Sequence, residues 1–431
     1  MKKIAFETLG CKLNFAETSA IASKITNYER VGFKHKADIY VINTCTVTAN
    51  AEKKLRELTK QIKKRNPAAK VVAIGCFAQR DPASVSQIPT IDLVLGMAEK
   101  FKLNEYLPAL EKGEISGILN GLPPAEVDFL PAFSFGDRTR SFLKVQEGCD
   151  YICTYCIIPE ARGKGRNPSI ETLVKQAAEI AEKGIKEIVI TGVNIGTFKD
   201  DSSGKTRNFL DLIKALDQVK GIERYRISSI EPNLLTGEII EYVLTESEKF
   251  LPHFHIPLQS GSNDILAKMK RRYRKELYAE KVAQIKSINP DAAIGVDVIV
   301  GFPGETEEHF NETYAFLKEL PVSYLHVFSY SDRPGTEASR MPGHVPKNEI
   351  TRRSRLLREL SERKYLLFAE SLLGQQHKVL FEKQNRDGMI SGFTDNYIKV
   401  THPYRPGLAN RTVEVVLKKI AKGAVEVEIV K

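Results

Sequence analysis

The stretch Gly148-Cys149-Asp150-Tyr151-Ile152-Cys153-Thr154-Tyr155-Cys156 puts three cysteines on one short loop, spaced C-x-x-x-C-x-x-C. Three thiolates do not close a metal site. A structural zinc takes four protein ligands, and a fully ligated iron–sulfur cube takes four thiolates. Three therefore leave one metal with an open position, where chemistry can occur. Half of a zinc site would need a matching Cys or His pair nearby, and the flanking sequence offers none. Phe142–Gln146, directly upstream, reads as a strand, so the loop follows a strand's carboxyl end.

Downstream, strand and helix patterns alternate. Glu187–Thr191, Tyr225–Ser229, His253–Pro257, Ile294–Val300 and Tyr324–Ser329 read as strands, with helices such as Ile170–Glu182 and Glu305–Leu320 between them. Counting Phe142–Gln146, six βα repeats predict a partial (βα)6 barrel of the TIM type, two units short of closure. Its catalytic face is the carboxyl end of the strands, where the cysteine loop lies. The missing units leave a lateral gap for a large substrate. A charged helix, Lys347 to Leu373, closes this domain, assigned to residues 138–373. From Gly374 to Lys431, five short strands with Gly and Asn turns predict a small antiparallel β-barrel.

Upstream, Lys3–Thr8, Asp38–Asn43 and Lys70–Gly75 read as strands, with helical periodicity over Asn14–Asn27 and Thr48–Arg65. The fold class is α/β, and this N-terminal unit, residues 1–120, is a parallel sheet with helices on its faces. Residues 121–137, rich in Pro, read as a linker. The remaining cysteines, Cys11, Cys45 and Cys76, each follow a strand end. The carboxyl ends of an open parallel sheet line its ligand crevice, so these three are expected to share one site. Structural cysteines would fall inside elements rather than repeatedly at this edge.

The 431 residues are too many for one core. No apolar run is long enough to span a bilayer, and Met1-Lys2-Lys3-Ile4-Ala5-Phe6-Glu7 does not resemble a signal peptide. A cytoplasmic protein is expected, where patterned cysteines bind metals rather than form disulfides. The net charge of +10 points to a polyanionic partner. In Gly295-Val296-Asp297-Val298-Ile299-Val300-Gly301-Phe302-Pro303-Gly304 a buried strand meets a Gly-rich turn, but the Lys-Ser/Thr of a phosphate loop is missing.

The C-x-x-x-C-x-aromatic-C pattern, with Tyr155 as the aromatic, is similar to the signature of the radical S-adenosylmethionine superfamily. With the N-terminal triad added, the whole chain resembles the radical S-adenosylmethionine methylthiotransferases. That resemblance implies two [4Fe-4S] clusters, one on Cys149, Cys153 and Cys156 and an auxiliary one on Cys11, Cys45 and Cys76. It implies S-adenosylmethionine on the open iron of the first, near Tyr155. Gly192 and Asn194 of Thr191-Gly192-Val193-Asn194 stand where the superfamily has a Gly-Gly-Glu type motif, without its acid. Glu231 is expected at the ribose hydroxyls, Gln259 at a strand end of the same site, and Val298 on the strand lining the adenine.

Thr8-Leu9-Gly10-Cys11-Lys12-Leu13-Asn14, Asn43-Thr44-Cys45-Thr46-Val47-Thr48 and Arg333-Pro334-Gly335-Thr336 look like the members acting on N6-threonylcarbamoyladenosine beside the tRNA anticodon. Members acting on isopentenyladenosine usually have Gly-Cys-Gln-Met-Asn at the first cysteine, and ribosomal-protein members Gly-Cys-Pro-Lys-Asn. The implied partners are a tRNA anticodon stem-loop and an electron donor of the flavodoxin or ferredoxin type. Within Lys268–Lys275, otherwise read as a solvated helix face, Lys270, Arg271, Arg272 and Arg274 are candidate phosphate contacts. Lys399 is another, on a C-terminal barrel of the TRAM type. Glu160 departs from the family, which commonly has Tyr there. The alternatives are methylthiotransfer to isopentenyladenosine or to a ribosomal-protein aspartate, and an RNA-binding iron–sulfur protein without catalysis.

Overall fold

In the computed structural model, which describes residues 1–121, 128–136, 139–384 and 388–430, the N-terminal sheet has six parallel strands. Their order is Glu29–Val31, Lys3–Thr8, Ile39–Thr44, Lys70–Gly75, Leu93–Leu95, Gly117–Leu119. The three strands not expected from sequence are three-residue pieces, too short to show a period. Central Ile39–Thr44 is buried at every residue, as a strand covered on both faces must be. Thr8 pairs with Asn43, and Thr44 with Gly75, so the strands end nearly level. The residues that follow them share one edge.

The barrel strands run in chain order. Arg140–Lys144, Glu187–Thr191 and Arg224–Ile227 form one parallel sheet; His253–Gln259, Ala293–Val300 and Tyr324–Ser329 form the next. A bridge between Tyr225 and Phe250, and an Ile230 N–H donated to His255 O at 3.0 Å, join them. Helix Lys347–Ser371 packs on the last strand. Part of the expected linker belongs to the barrel: Ser134 N–H bonds Phe142 O at 3.1 Å and Lys144 N–H bonds Ala132 O at 3.0 Å. Its residues 122–127 and 137–138 lie outside the described residues.

Helix Lys12–Ser23 packs against the first two barrel strands. Phe15 meets Phe142 edge-on at 5.6 Å, beside Ala16 and Val189. The strand-end edge of the N-terminal sheet thereby faces the lumen.

Gln376–Gln384, Met389–Thr394, Lys399–Pro403, Thr412–Ala421 and Ala424–Ile429 close into a barrel. The expected antiparallel pairing holds for four of its contacts, while Lys399–Pro403 and Ala424–Ile429 pair in parallel. This barrel caps the lumen at the start of the strands. Arg224 donates to Phe393 O and Thr394 O at 3.2 and 3.1 Å, and Arg226 to Thr394 O and Asp395 O at 2.6 and 2.8 Å. Buried Glu187 pairs with both arginines. Among the described residues no helix is long and apolar enough to cross a membrane.

Candidate active site between two cysteine triads

The loop after the first barrel strand is held by its backbone. Gly148 has φ +71°, and a Cβ there would lie 1.9 Å from Lys164 O, so the turn requires glycine. Cys149 N–H donates to Gly163 O at 3.1 Å and Thr154 N–H to Met269 O at 3.2 Å. Cys153 Sγ accepts from Arg271 Nη1 at 3.1 Å, and Cys149 Sγ from Asn194 Nδ2 at 3.9 Å. Burial raises the pKa of all three thiols, that of Cys156 to about 12. Neighbouring cysteines raise Cys156 further, which marks the thiols as convergent. A metal must supply the positive charge that makes them thiolates.

Around this loop lie buried acceptors without partners: Asn194 Oδ1, Glu231 Oε2 and Asn233 Oδ1. Glu231 Oε1 pairs with Arg271 Nη2 at 2.9 Å, and Asn233 Nδ2 donates to Tyr151 Oη at 3.2 Å. Such orphaned acceptors fit a ligand that brings donors, as an ammonium and ribose hydroxyls do. Gly192 serves packing. A Cβ there would meet Ile195 Cγ2 at 2.7 Å and Gln146 O at 2.9 Å, while Gln146 Oε1 accepts from Val193 N and Asn194 N.

Gln259, with φ +69°, lines a cavity of about 210 Å³ together with Tyr155, Cys156, Asp297 and Ile299. Val298 does not line it. Alternation along Ala293–Val300 points Asp297 and Ile299 inward and packs Val298, 0% exposed, into the core between barrel and helices. The side chain of Val298 is therefore a core group, and the lumen-facing residues of this strand are its neighbours.

The second triad also converges. Cys11 caps helix Lys12–Ser23, Cys45 follows its strand, and Cys76 opens helix Cys76–Arg80. The Sγ atoms of Cys11 and Cys76 both lie 3.8 Å from Asn14 Oδ1. Asn14 is itself fixed by donating to Leu9 O and Thr44 O. Burial, with Cys76 and Cys11 nearby, pushes Cys45 up to about 12. Val47 and Thr48, just beyond Cys45, line the same 210 Å³ cavity as Cys156. Residues just beyond Cys45 and the last cysteine of the radical loop thus line one space, while Cys11 borders a separate one.

A buried ionic network ties the triads together. Arg162, on helix Ile158–Arg162 after the radical loop, donates to Cys76 Sγ at 3.2 Å, Glu17 at 2.9 and 3.0 Å, and Glu147 at 2.7 Å. Lys100 and Lys144 reach Glu17 at 2.7 and 3.1 Å, and Lys144 also reaches Glu147. Burial opposes ionisation of Glu17, but Arg162, Lys100 and Lys144 outweigh it and hold its carboxyl well below the usual range.

Deeper in the lumen, a second cavity of about 250 Å³ extends from Cys11 and Lys12 to Tyr397 of the C-terminal barrel. Between the cavities, Asp297 accepts from His255 Nε2 at 2.7 Å and His326 Nδ1 at 3.2 Å. Burial raises the carboxyl pKa of Asp297; these two bonds more than reverse that.

Comparisons with known proteins agree with this arrangement. The profile of the Radical SAM superfamily matches residues 143–317, and that of "Uncharacterized protein family UPF0004" matches residues 3–96. The chain is 42% identical to the threonylcarbamoyladenosine tRNA methylthiotransferase of Bacillus subtilis, over 97% of this chain and 94% of that one. It is also 42% identical to its namesake from Aquifex aeolicus, over 92% and 96%. The chain belongs to the radical S-adenosylmethionine tRNA methylthiotransferase family. The tRNA-2-methylthio-N(6)-dimethylallyladenosine synthase of Clostridium tetani is 34% identical over 90% and 88%. The methyltransferase TsrM of Kitasatospora setae shares the fold, with a TM-score of 0.57 at 14% identity over 79% of this chain and 75% of that one.

In this methylthiotransferase the basic candidates separate. Arg271 is not a phosphate contact. Its side chain is 4% exposed, pairs with Glu231 and bonds Cys153, so it belongs to the radical site. Nor is Lys268–Lys275 a helix face. Helix Asn263–Lys268 ends there, Lys270 turns with φ +56°, and the next helix starts at Lys275. Lys270 pairs with Glu337, and Arg272 stacks over Tyr151 at 3.7 Å. Arg274 and Lys399 are exposed. Glu160 pairs with Arg80 at 3.3 Å, bridging barrel and N-terminal sheet. The residues that sequence reading missed are Asn14, Arg162 and Asn233. Each lies within six positions of a residue already chosen, and that proximity was the available signal.

Proposed function

We propose that this enzyme inserts a methylthio group at C2 of N6-threonylcarbamoyladenosine, next to the tRNA anticodon. The observation that carries the reading is a second cysteine triad gathered around Asn14, whose flanking residues Val47 and Thr48 line one cavity with Cys156 of the radical-type loop. Relatives of that name, 42% identical over nearly the whole chain, support the choice of substrate. When bound, two [4Fe-4S] clusters and S-adenosylmethionine supply one-electron activation of an unreactive C–H bond and a docking point for sulfur.

The chain's residues hold and orient these groups. Cys149, Cys153 and Cys156 bind one cluster; Cys11, Cys45 and Cys76 bind the other. Asn194, Glu231 and Asn233 offer acceptors to S-adenosylmethionine, and Tyr155 with Gln259 shapes the shared cavity. Arg271 donates to Cys153 and pairs with Glu231 beside it. We assign residues 1–120 to the auxiliary-cluster unit, 138–373 to the radical barrel and 374–431 to an RNA-binding barrel. A flavodoxin- or ferredoxin-type protein supplies electrons, and a tRNA substrate puts the enzyme in the cytoplasm.

Mass spectrometry of nucleosides from cells with and without this gene tests the reading. The expected result is loss of the methylthiolated threonylcarbamoyladenosine with gain of its unthiolated form. Loss of a methylthiolated isopentenyladenosine instead would overturn the substrate.

Exposed Arg274 and Lys399 are assigned to RNA phosphates. Arg274→Gln and Lys399→Gln should each weaken anticodon-stem binding at every sequence alike, and reduce the salt slope of log K by about 1. Unchanged slopes in filter binding would remove both residues from the interface.

A further inference from the structure

The deeper cavity carries a charge pattern that the cluster and S-adenosylmethionine sites leave unexplained. Lys12, Arg140 and Arg226 line it, and no carboxylate does among the described residues. The two arginines are already engaged: both reach Glu187, and Arg140 also pairs with Glu382. Lys12 is not. No carboxylate lies within 4.0 Å of its ammonium among the described residues; Asp297 acts on it only from farther off, and the residue stays exposed. His253 lines the same cavity, is 6% exposed, and has a buried Nδ1 with no hydrogen-bond partner. Its Nε2 lies 2.7 Å from Tyr324 Oη; with that hydroxyl donating to Nε2, the ring proton falls on Nδ1. Phe15, Phe142, Val189 and Ile227 supply apolar wall between these polar groups. The cavity therefore offers an unpaired cation, a buried nitrogen without a partner and a hydrocarbon surface.

We propose that this cavity receives the N6 substituent of the substrate, and that Lys12 binds the substituent's carboxylate. The proposal rests on the reading that the substrate is N6-threonylcarbamoyladenosine, whose threonyl group ends in a carboxylate. Cys11 stands on the cavity rim beside Lys12, so a base lying between the triads can direct its N6 group downward into this space. Asp297, held ionised by His255 and His326 at the junction with the upper cavity, repels a carboxylate left there. Lys12 is accordingly a specificity-determining residue. A substituent with no charge, such as an isopentenyl group, would strand the ammonium without a partner, which disfavours that substrate.

Two anticodon stem-loop RNAs test this, one with the free threonyl carboxylate and one with it capped as the methyl amide. Dissociation constants and methylthiolation rates are measured for the wild type, Lys12→Gln and Lys12→Arg, with iron content as a check on cluster loading. The wild type should prefer the acid by roughly 10- to 100-fold, the range for one charge-assisted hydrogen bond. Lys12→Gln should bind both RNAs alike, and Lys12→Arg should keep the preference. A Lys12→Gln protein that loads iron normally and still prefers the acid overturns the assignment of Lys12. A wild type that methylthiolates neither RNA, yet modifies one bearing isopentenyladenosine, overturns the substrate reading and the carboxylate site with it.

Discussion

Cys149→Ala should abolish formation of 5′-deoxyadenosine by anaerobically reconstituted, dithionite-reduced protein, while Cys45→Ala should leave it intact and stop methylthiolation of tRNA. The contrast follows from where the cysteines lie. Cys149, Cys153 and Cys156 share one loop, and the three remaining cysteines of the chain form the other triad. Removing one leaves a cluster short of the thiolates that hold it. The expected fall is ~10³-fold or more, equivalent to about 4 kcal/mol in the barrier. Cys45 belongs to the other triad, with Asn14 beside Cys11 and Cys76 and its own strand register. Its loss leaves the radical loop's backbone bonds to Gly163 and Met269 untouched. High-performance chromatography of the cleavage products, run beside nucleoside mass spectrometry, separates the two outcomes. If Cys45→Ala still methylthiolated tRNA, the auxiliary triad would be misassigned. If Cys149→Ala still cleaved S-adenosylmethionine, the radical site would be.

What the amino-acid sequence makes legible here is local or periodic. Six barrel strands read as short apolar runs between helical segments, and all six occur within two residues of their expected bounds. The cysteine loop is a contiguous pattern, and the other triad follows from three strand ends of one parallel sheet. Direction and pairing are harder. Val298 and Asp297 are adjacent, and only the barrel's curvature decides which faces the lumen. Arg271 sits in a run of six cations over eight positions, where a solvent-facing reading is natural. Its burial comes from Glu231 and Cys153, 40 and 118 residues away in sequence. Apart from the local Lys144–Glu147 pair, the ionic network is non-local, since Glu17, Lys100, Lys144 and Arg162 meet only when helix Lys12–Ser23 docks on the first barrel strand. No window of sequence contains that information.

That docking contact is where the second large effect is expected: Glu17→Gln should destabilise the cluster-free protein by about 3–5 kcal/mol, the cost of breaking a buried charge pair from one side. Glu17 and Glu147 offset Lys100, Lys144 and Arg162, all of them nearly inaccessible to water. Without the Glu17 carboxylate, three buried cations share one anion. Arg162→Met is the informative contrast. It leaves two cations facing two carboxylates, so its effect on stability should be smaller even though it removes the donor to Cys76 Sγ. The acid response has a definite sign. The folded-state pKa of Glu17 is depressed, so its contribution is present above the ordinary carboxylate range and is lost as pH falls toward the folded value. Glu147 is depressed in the same direction. Urea unfolding at pH 7 and at decreasing pH should therefore show wild-type stability falling in acid, and Glu17→Gln starting lower and falling less. The transition to follow is the one that separates the N-terminal sheet from the barrel, because the network spans that boundary. A Glu17→Gln protein with wild-type midpoint and acid slope would mean that the buried cations are compensated by some other route, and that the two triads are not held in register by this network.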